Sequence, residues 1–235
     1  MGADQHIDWA KEAASALSWW SDAGVDVLVE DEAFGWLVRQ PEHAPEPPAV
    51  APIALPATLD AFTAWRIGAE VPEARWGSPL IAASGPVTAE LMVLVDCPER
   101  DDRDCLLTGP AGRLFDRMLD AIGLTRGGIH LAAVCAARPV AGRMPRDTEA
   151  RLAEIARHHL ALVAPKRLLV LGNAASRAVL SAELTEARGS LRALNHRSGK
   201  TTAAAASFHP RFLLEKPVCK AEAWKDLQVL MGGKL

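Results

Sequence analysis

The chain has only four cysteines in 235 residues, and no two of them form a C-x-x-C pair. They are Cys97, Cys105, Cys135 and Cys219. No histidine lies near them at zinc-finger spacing, which excludes a structural zinc site of that kind. We interpret the four residues as free intracellular thiols, because a chain of this length buries enough core to fold without a disulfide or a metal.

Long hydrophobic runs and a strong net charge are also missing. No charged-then-apolar leader opens the sequence and no run approaches a membrane span, so we expect a cytoplasmic protein without a membrane partner. The formal net charge is -3, so the chain has no overall basic field to hold a polyanion. Any contact with nucleic acid must therefore come from a local patch.

The sequence divides into three regions by composition. Residues 7–28 carry apolar groups at helical spacing, with Asp8 as the N-cap, which predicts a helical arm over residues 1–40. Residues 41–57 are dominated by Pro and Ala, a composition that favours a semi-rigid extended linker. We expect the main domain to span residues 58–235.

Within the main domain, short apolar runs alternate with amphipathic stretches. The runs cover residues 91–96, 129–135, 167–172 and 201–208, and the stretches cover 110–124, 146–163, 173–184 and 220–231. Strands that alternate with helices predict a mainly parallel sheet covered on both faces, because each crossover lays a helix against the sheet.

Carboxylates and a glycine follow two of the predicted strands. The acidic residues of the first loop are Asp96, Glu99, Asp101, Asp102 and Asp104. Such a run can hold a cation or polarise water, but it is more often a solvated loop. Asp96 differs because it stands at the strand end, where the sheet fixes its position. Gly172 also follows a strand, as in nucleotide-binding turns, but a single glycine is too weak a signal for that function.

The region from residue 188 to residue 211 is basic and contains no acid. Its cations are Arg188, Arg192, Arg197, Lys200 and Arg211, with His196 and His209 among them. The region predicts either phosphate contact or a solvated surface. His209-Pro210 directly follows a predicted strand, which places a titratable ring at the edge of the sheet or simply marks the end of the strand.

Five segments together resemble the uracil-DNA glycosylase superfamily, with the greatest similarity to its bacterial family four. They are "LLTGPAGRLFDRMLDAIGL", "RPVAGRMP", "PKRLLVLGNAA", "RGSL" and "SFHPRFLLEKPVCKAEAWKDLQVL", and their order matches over about residues 85–231. The resemblance implies a three-layer α/β/α sandwich around a short, mainly parallel sheet. It also implies that the protein binds DNA that is single-stranded or carries uracil or a damaged base. The N-terminal arm is a candidate binding site for a protein partner.

The resemblance assigns His209 to the family's second catalytic motif, in which histidine donates to the uracil carbonyl oxygen as negative charge grows there. By the same resemblance, the segment from Arg211 to Leu214 is expected to enter the DNA groove and to help hold the flipped nucleotide out of the stack. By the same comparison, the expected DNA contacts are Gly109, Arg143, Arg188, Lys200, Pro210 and Arg211.

The first motif and the base pocket depart from the family pattern. Where the family has Gly-Glu-Ala-Pro-Gly, this chain has residues 95–99, so Asp96 replaces the glutamate as the second catalytic residue. Cys97 and Pro98 follow it in the expected base pocket. Leu107 takes the place of the stacking aromatic residue, and Ala133 that of the asparagine that reads the uracil edge. Loss of that hydrogen bond weakens the preference for uracil.

The family's four-iron cluster is expected to be absent. Two of its cysteines should precede the first motif, but no cysteine precedes Cys97. A third ligand position holds Ala137, with Cys135 two residues away. We expect apolar packing, including Trp65 and Trp76, to anchor the loops instead.

Three functions remain open at this stage. The first is a glycosylase that retains base-excision chemistry through His209 and Asp96. The second is a degenerate family member that binds DNA or a protein and cleaves nothing, since a fold does not guarantee the parent chemistry. The third is excision of a different base by a roomier pocket.

Overall fold

A computed structural model describes residues 9–24, 55–140, 142, 144–196 and 199–232. The contacts divide the chain into two compact units, residues 1–52 and 53–235. In the first unit, helix α1 (Trp9–Asp22) lies inside the predicted helical stretch and buries none of its residues. Asp8, Arg143 and most of the predicted linker lie outside the described residues, so the domain boundaries stay predictions.

The second unit contains a five-stranded sheet with the order β2-β1-β3-β5-β4. The strands are β1 (Leu91–Val95), β2 (Ile129–Ala133), β3 (Arg167–Leu171), β4 (Arg192–Asn195) and β5 (Thr201–Ser207). Strands β1, β2, β3 and β5 are parallel to one another. Strand β4 lies at the edge of the sheet and is antiparallel to its neighbour β5. The prediction of a mainly parallel sheet is confirmed, whereas β4 had not been predicted.

Helices cover both faces of this sheet. They are α2 (Leu59–Arg66), α3 (Gly109–Ala121), α4 (Arg146–Val163), α5 (Asn173–Leu180), α6 (Leu184–Ala187), α7 (Pro210–Glu215) and α8 (Lys220–Leu230). Alternate residues of β1 point to opposite faces: Met92 packs with α4 and α5, and Val93 packs with α3 and α8. The architecture is therefore the expected three-layer α/β/α sandwich.

The stretch at 173–184 had been predicted as one helix, but the structure breaks it. Helix α5 ends where Ser181 adopts the left-handed conformation at φ 53°, and α6 starts again at Leu184. The Asn173 side-chain oxygen accepts a hydrogen bond from the Leu184 amide and so fixes the break. No helix in the described part of the chain is long and apolar enough to cross a membrane.

Candidate active site at the carboxyl edge of the sheet

The strand order creates a crevice between β1 and β3. From β1 the chain moves to β2 on one side, and the later strands β3 and β5 lie on the other side. In an open α/β sheet, the carboxyl ends of strands at such a switch point leave room for a ligand. Asp96 directly follows β1, and Gly172 directly follows β3, so the two residues face each other across this crevice.

Asp96 is held rigidly at the start of α5. One carboxylate oxygen, Oδ1, accepts a hydrogen bond from the Ala175 amide at 2.6 Å. Gly172 has φ 112°, and a Cβ at that position would lie 2.4–2.6 Å from the Asp96 carboxylate. A glycine is therefore required for this approach.

Burial raises the pKa of Asp96 to about 6, although the Ala175 hydrogen bond and the charge of Arg211 act in the opposite direction. The group is thus a fixed carboxylate that titrates near neutral pH, as a general base requires.

A cavity of about 890 Å³ opens beside Asp96. It is lined by Asp96, Cys97, Cys135, Gly142, Met144, Pro145, Arg146, Glu149, Asn173, Ala174, Arg177, Glu183 and Arg211. Burial raises the pKa of Cys97 to about 11 and raises that of Cys135 as well. Both thiols are therefore protonated at neutral pH and are poor nucleophiles.

His209 is buried at the start of α7, with 5% of its surface exposed. Its Nδ1 accepts a hydrogen bond from the Arg211 amide at 3.2 Å. Burial, together with the charge of Arg211, lowers the pKa of His209 to about 3, so the ring is neutral. Because Nδ1 is the acceptor, the single ring proton is assigned to Nε2. His209 can therefore donate one hydrogen bond through Nε2 without carrying a charge.

Glu99 connects the loop after β1 to the start of α7, whereas the sequence places it only in the acidic run and at the last position of the first motif. Its two carboxylate oxygens accept from Nη1 of Arg211 at 3.0 and 3.1 Å. One of them lies 3.6 Å from Nδ1 of His209, and the other lies 4.0 Å from Nη1 of Arg138. No sequence signal pairs it with Arg211. Glu99 thus holds the loop after β1 against the start of α7.

The other acids of that run have different roles. Asp102 is buried and accepts hydrogen bonds from the amides of Leu107 and Thr108 and from the Thr108 hydroxyl. It therefore organises the turn that leads into α3. Asp101 and Asp104 are exposed. In the described residues no group of three or more His, Cys, Asp or Glu side chains is arranged to hold a metal ion.

The expected base-pocket residues do not all meet at the cavity. Cys97 lines it, and Pro98 is buried beside it with its carbonyl bonded to Arg138. Leu107 is 1% exposed and packs in the core between the sheet and α3. Ala133 is half-buried at the end of β2 and packs against the same core. Neither residue lines the 890 Å³ cavity, and their role in a base pocket stays a prediction.

The expected DNA contacts are also spread apart. Gly109 begins α3 and Pro210 begins α7, both at the carboxyl edge, where Arg211 lines the cavity. Lys200 is exposed directly before β5, and the seven residues of that strand place it about 20 Å from the opposite edge.

The Arg188 guanidinium is engaged within the protein. It pairs with Asp226 at 2.9 Å and with Glu222 at 2.8 Å, and it stacks 3.7 Å above the Phe208 ring. Since Lys200 lies at one end of β5 and Arg211 beyond the other, the basic region 188–211 is not one surface.

The family model described as the uracil DNA glycosylase superfamily matches residues 83–228. A type-4 uracil-DNA glycosylase of Pyrobaculum aerophilum is 25% identical over 164 residues. That alignment covers 66% of this chain and 83% of the archaeal protein.

Proposed function

Because the chain belongs to the uracil-DNA glycosylase superfamily, we propose that it hydrolyses the N-glycosidic bond of uracil or another altered base in DNA. The observation that carries this proposal is the fixed carboxylate of Asp96 at the wall of a cavity, with its pKa raised to about 6 by burial. A carboxylate in that position is suited to activate water at neutral pH.

The residues divide the reaction between them. Asp96 accepts a proton from water, whose oxygen forms a bond to the sugar C1′ while the bond from C1′ to the base breaks. His209 donates a hydrogen bond from Nε2–H to the carbonyl oxygen of the departing base, which leaves as an anion with the electron pair of the broken bond. A neutral ring at this point adds no charge and stays a donor over the whole physiological pH range, since burial lowers its pKa to about 3.

We propose that the base pocket is less selective for uracil than the pocket of the family pattern. Leu107 offers no ring on which a base can stack, and Ala133 offers no side-chain donor or acceptor. Stacking on an aromatic ring is worth about 1–3 kcal/mol per base. We propose that the enzyme accepts altered bases other than uracil, and that it acts best on single-stranded DNA, in which no base pair has to be broken.

We also propose that the protein works without the family's iron–sulfur cluster, because the cysteines do not fit one. No cysteine precedes Cys97 in the sequence, Cys105 is exposed, and Ala137 is fully buried where a ligand would stand. No step of the reaction is derived through such a cluster. Purified protein should contain less than one iron per chain and show no absorbance near 400 nm. Four irons per chain with that absorbance would contradict this proposal.

Single-turnover cleavage tests the glycosylase function. Protein in excess is incubated with single-stranded and duplex oligonucleotides that carry uracil, hypoxanthine or xanthine, and abasic sites are then cleaved with alkali. Asp96→Asn and His209→Ala should each lower the rate about 100- to 1000-fold. Asp104→Asn is the matched control, because it removes an exposed carboxylate from the same loop. The proposal fails if the wild type cleaves none of the substrates or if both active-site variants cleave at the wild-type rate.

A second candidate is a binding module without catalysis. It is favoured by the exposed apolar side chains of α1, where Trp9 is 78%, Leu17 is 65% and Trp20 is 51% accessible. These three side chains share one side of the helix at the spacing i, i+8 and i+11, which suits an apolar groove on a protein partner. A wild-type protein that neither cleaves nor binds the oligonucleotides would favour this protein-binding function over the first.

A further inference from the structure

A groove of about 260 Å³ lies between α3, α7 and α8 and is lined by cations. Its lining residues are Pro110, Arg113, Leu114, Arg117, Leu214 and Lys220. Three of the six are basic and none is acidic. We call this surface the basic groove.

The three cations are not neutralised within the described part of the chain. Arg113, Arg117 and Lys220 are all exposed, and none makes an ion pair or a side-chain hydrogen bond there. Other arginines in the fold behave differently: Arg126 pairs with Asp116, and Arg177 pairs with Glu149. The basic groove therefore keeps its positive charge in a chain whose net charge is -3.

Helix geometry brings these cations to the same side. Arg113 and Arg117 are four residues apart on α3, so their side chains lie one above the other on one face. Lys220 is the first residue of α8 and lies across the groove from them. Each guanidinium group can bind a phosphate through two parallel hydrogen bonds, and the two arginines present such groups on the same helix face.

The basic groove adjoins the proposed active site. Helix α7 begins directly after His209, packs on α3 and contributes Leu214 to the groove wall. Leu214 is 42% exposed. Helices α3, α7 and α8 all begin at the carboxyl edge of the sheet or just beyond it, which is also where Asp96 and His209 lie.

We propose that the basic groove binds backbone phosphates of the DNA strand that flanks the flipped nucleotide. The proposal rests on the glycosylase function above and adds the surface that holds the DNA. The main argument for the proposal is charge complementarity. The groove has three unpaired cations and no carboxylate, DNA is a polyanion, and each phosphate contact releases counterions. The contact is to the backbone, so it contributes affinity rather than base preference.

The test is the salt dependence of DNA binding by the full chain. The probe is a fluorescent single-stranded oligonucleotide carrying one uracil, titrated from 50 to 300 mM NaCl. The triple variant Arg113→Gln/Arg117→Gln/Lys220→Gln should lower the slope of log Kd against log salt by about 2, at about 0.7 per lost phosphate contact. At protein concentrations below saturation, its single-turnover cleavage should fall in step with the loss of affinity.

The matched control is Lys166→Gln, which removes an exposed lysine just before β3, at the opposite edge of the sheet. Its slope should equal that of the wild type. If the wild type binds DNA in a salt-dependent way and the triple variant has the same slope, the proposal that the basic groove binds phosphates is wrong. That result does not affect the proposed glycosylase function. Failure of the wild type to bind or cleave any oligonucleotide overturns both proposals.

Discussion

At the scale of single residues, burial shifts the pKa of both proposed catalytic groups, Asp96 and His209. Burial disfavours the charged form of each, and it therefore raises the pKa of Asp96 to about 6 and lowers that of His209 to about 3. The carboxyl group titrates near neutral pH, and the imidazole is a neutral donor. The opposite pKa shifts give the two residues different roles: Asp96 acts as the base, and His209 stabilises the departing base as a neutral donor.

Glu99 is expected to be a positioning residue, tested by the variant Glu99→Gln. Without its charge, Arg211 is no longer neutralised, and its effect of lowering the pKa of Asp96 grows. Single-turnover cleavage should fall about 10- to 100-fold at pH 7.5, because the loop after β1 is no longer fixed against α7 and a carboxylate of lower pKa is a weaker base. The rise in rate with pH, near pH 6 in the wild type, should move to lower pH.

Glu99→Asp should restore part of the rate because it keeps the charge. A pH profile that stays in place in Glu99→Gln would mean that the residue acts only on stability.

At the scale of elements, a buried ion pair ties the segment after α2 to the loop after β2. Nη2 of Arg66 donates to Oε1 of Glu73 at 2.5 Å and to the Val134 carbonyl at 2.7 Å. The same Glu73 oxygen accepts from the Ala136 amide at 2.9 Å. Trp65 and Trp76 pack on the core nearby, but the polar tie had not been predicted. This contact fastens the loop that carries Cys135, a residue of the cavity wall.

Breaking this pair should destabilise the fold strongly. Arg66→Met leaves the Glu73 carboxylate buried, with 0% of its surface exposed and without a counter-charge. The free energy of unfolding in urea should fall by about 3–5 kcal/mol. The double variant Arg66→Met/Glu73→Leu removes both charges and should recover much of this loss. A loss below about 1 kcal/mol in Arg66→Met would contradict the view that the pair anchors the loop.

At the scale of the whole molecule, a buried histidine pair joins the sheet to α4. Nε2 of His130 lies 3.0 Å from Nε2 of His159, so one ring donates and the other accepts. Burial lowers the pKa of both rings, that of His159 to about 3 with a further contribution from the charge of His130. Both rings are therefore neutral in the folded chain at pH 7, and protonating either one opposes folding.

Acid should therefore destabilise the protein below pH 6.5. The unfolded chain takes up protons on His130, His159 and His209 near that pH, whereas the folded chain does not. The stability they contribute is complete above pH 6.5 and is lost as the pH falls toward 3. Asp96 acts in the opposite direction, since its pKa is raised to about 6 and its contribution grows as the pH falls below that value.

Three histidines outweigh one carboxyl group, so the urea midpoint should be lower at pH 5 than at pH 7.5. His159→Leu should reduce this difference. A midpoint that rises on acidification would show that Asp96 dominates the balance.

The sequence determined the parts of the molecule that depend on local pattern. The apolar runs predicted β1, β2, β3 and β5, and the period of residues 146–163 predicted α4 with the bounds that the structure has. The short edge strand β4 was not predicted, because it has only four residues and its alternation of burial is too short to give a clear sequence pattern. The five segments together, of which the one around His209 is the most specific, identified the family over most of the main domain.

Only the tertiary structure decided which charges meet. Glu99 and Arg211 are 112 residues apart in the chain, and the basic groove unites α3 with the start of α8. A run of like charges predicts a patch only if its members share a surface, and β5 instead separates Lys200 from Arg211. The sequence states which side chains carry charge, but pairing, burial and the resulting pKa values depend on long-range contacts that only folding creates.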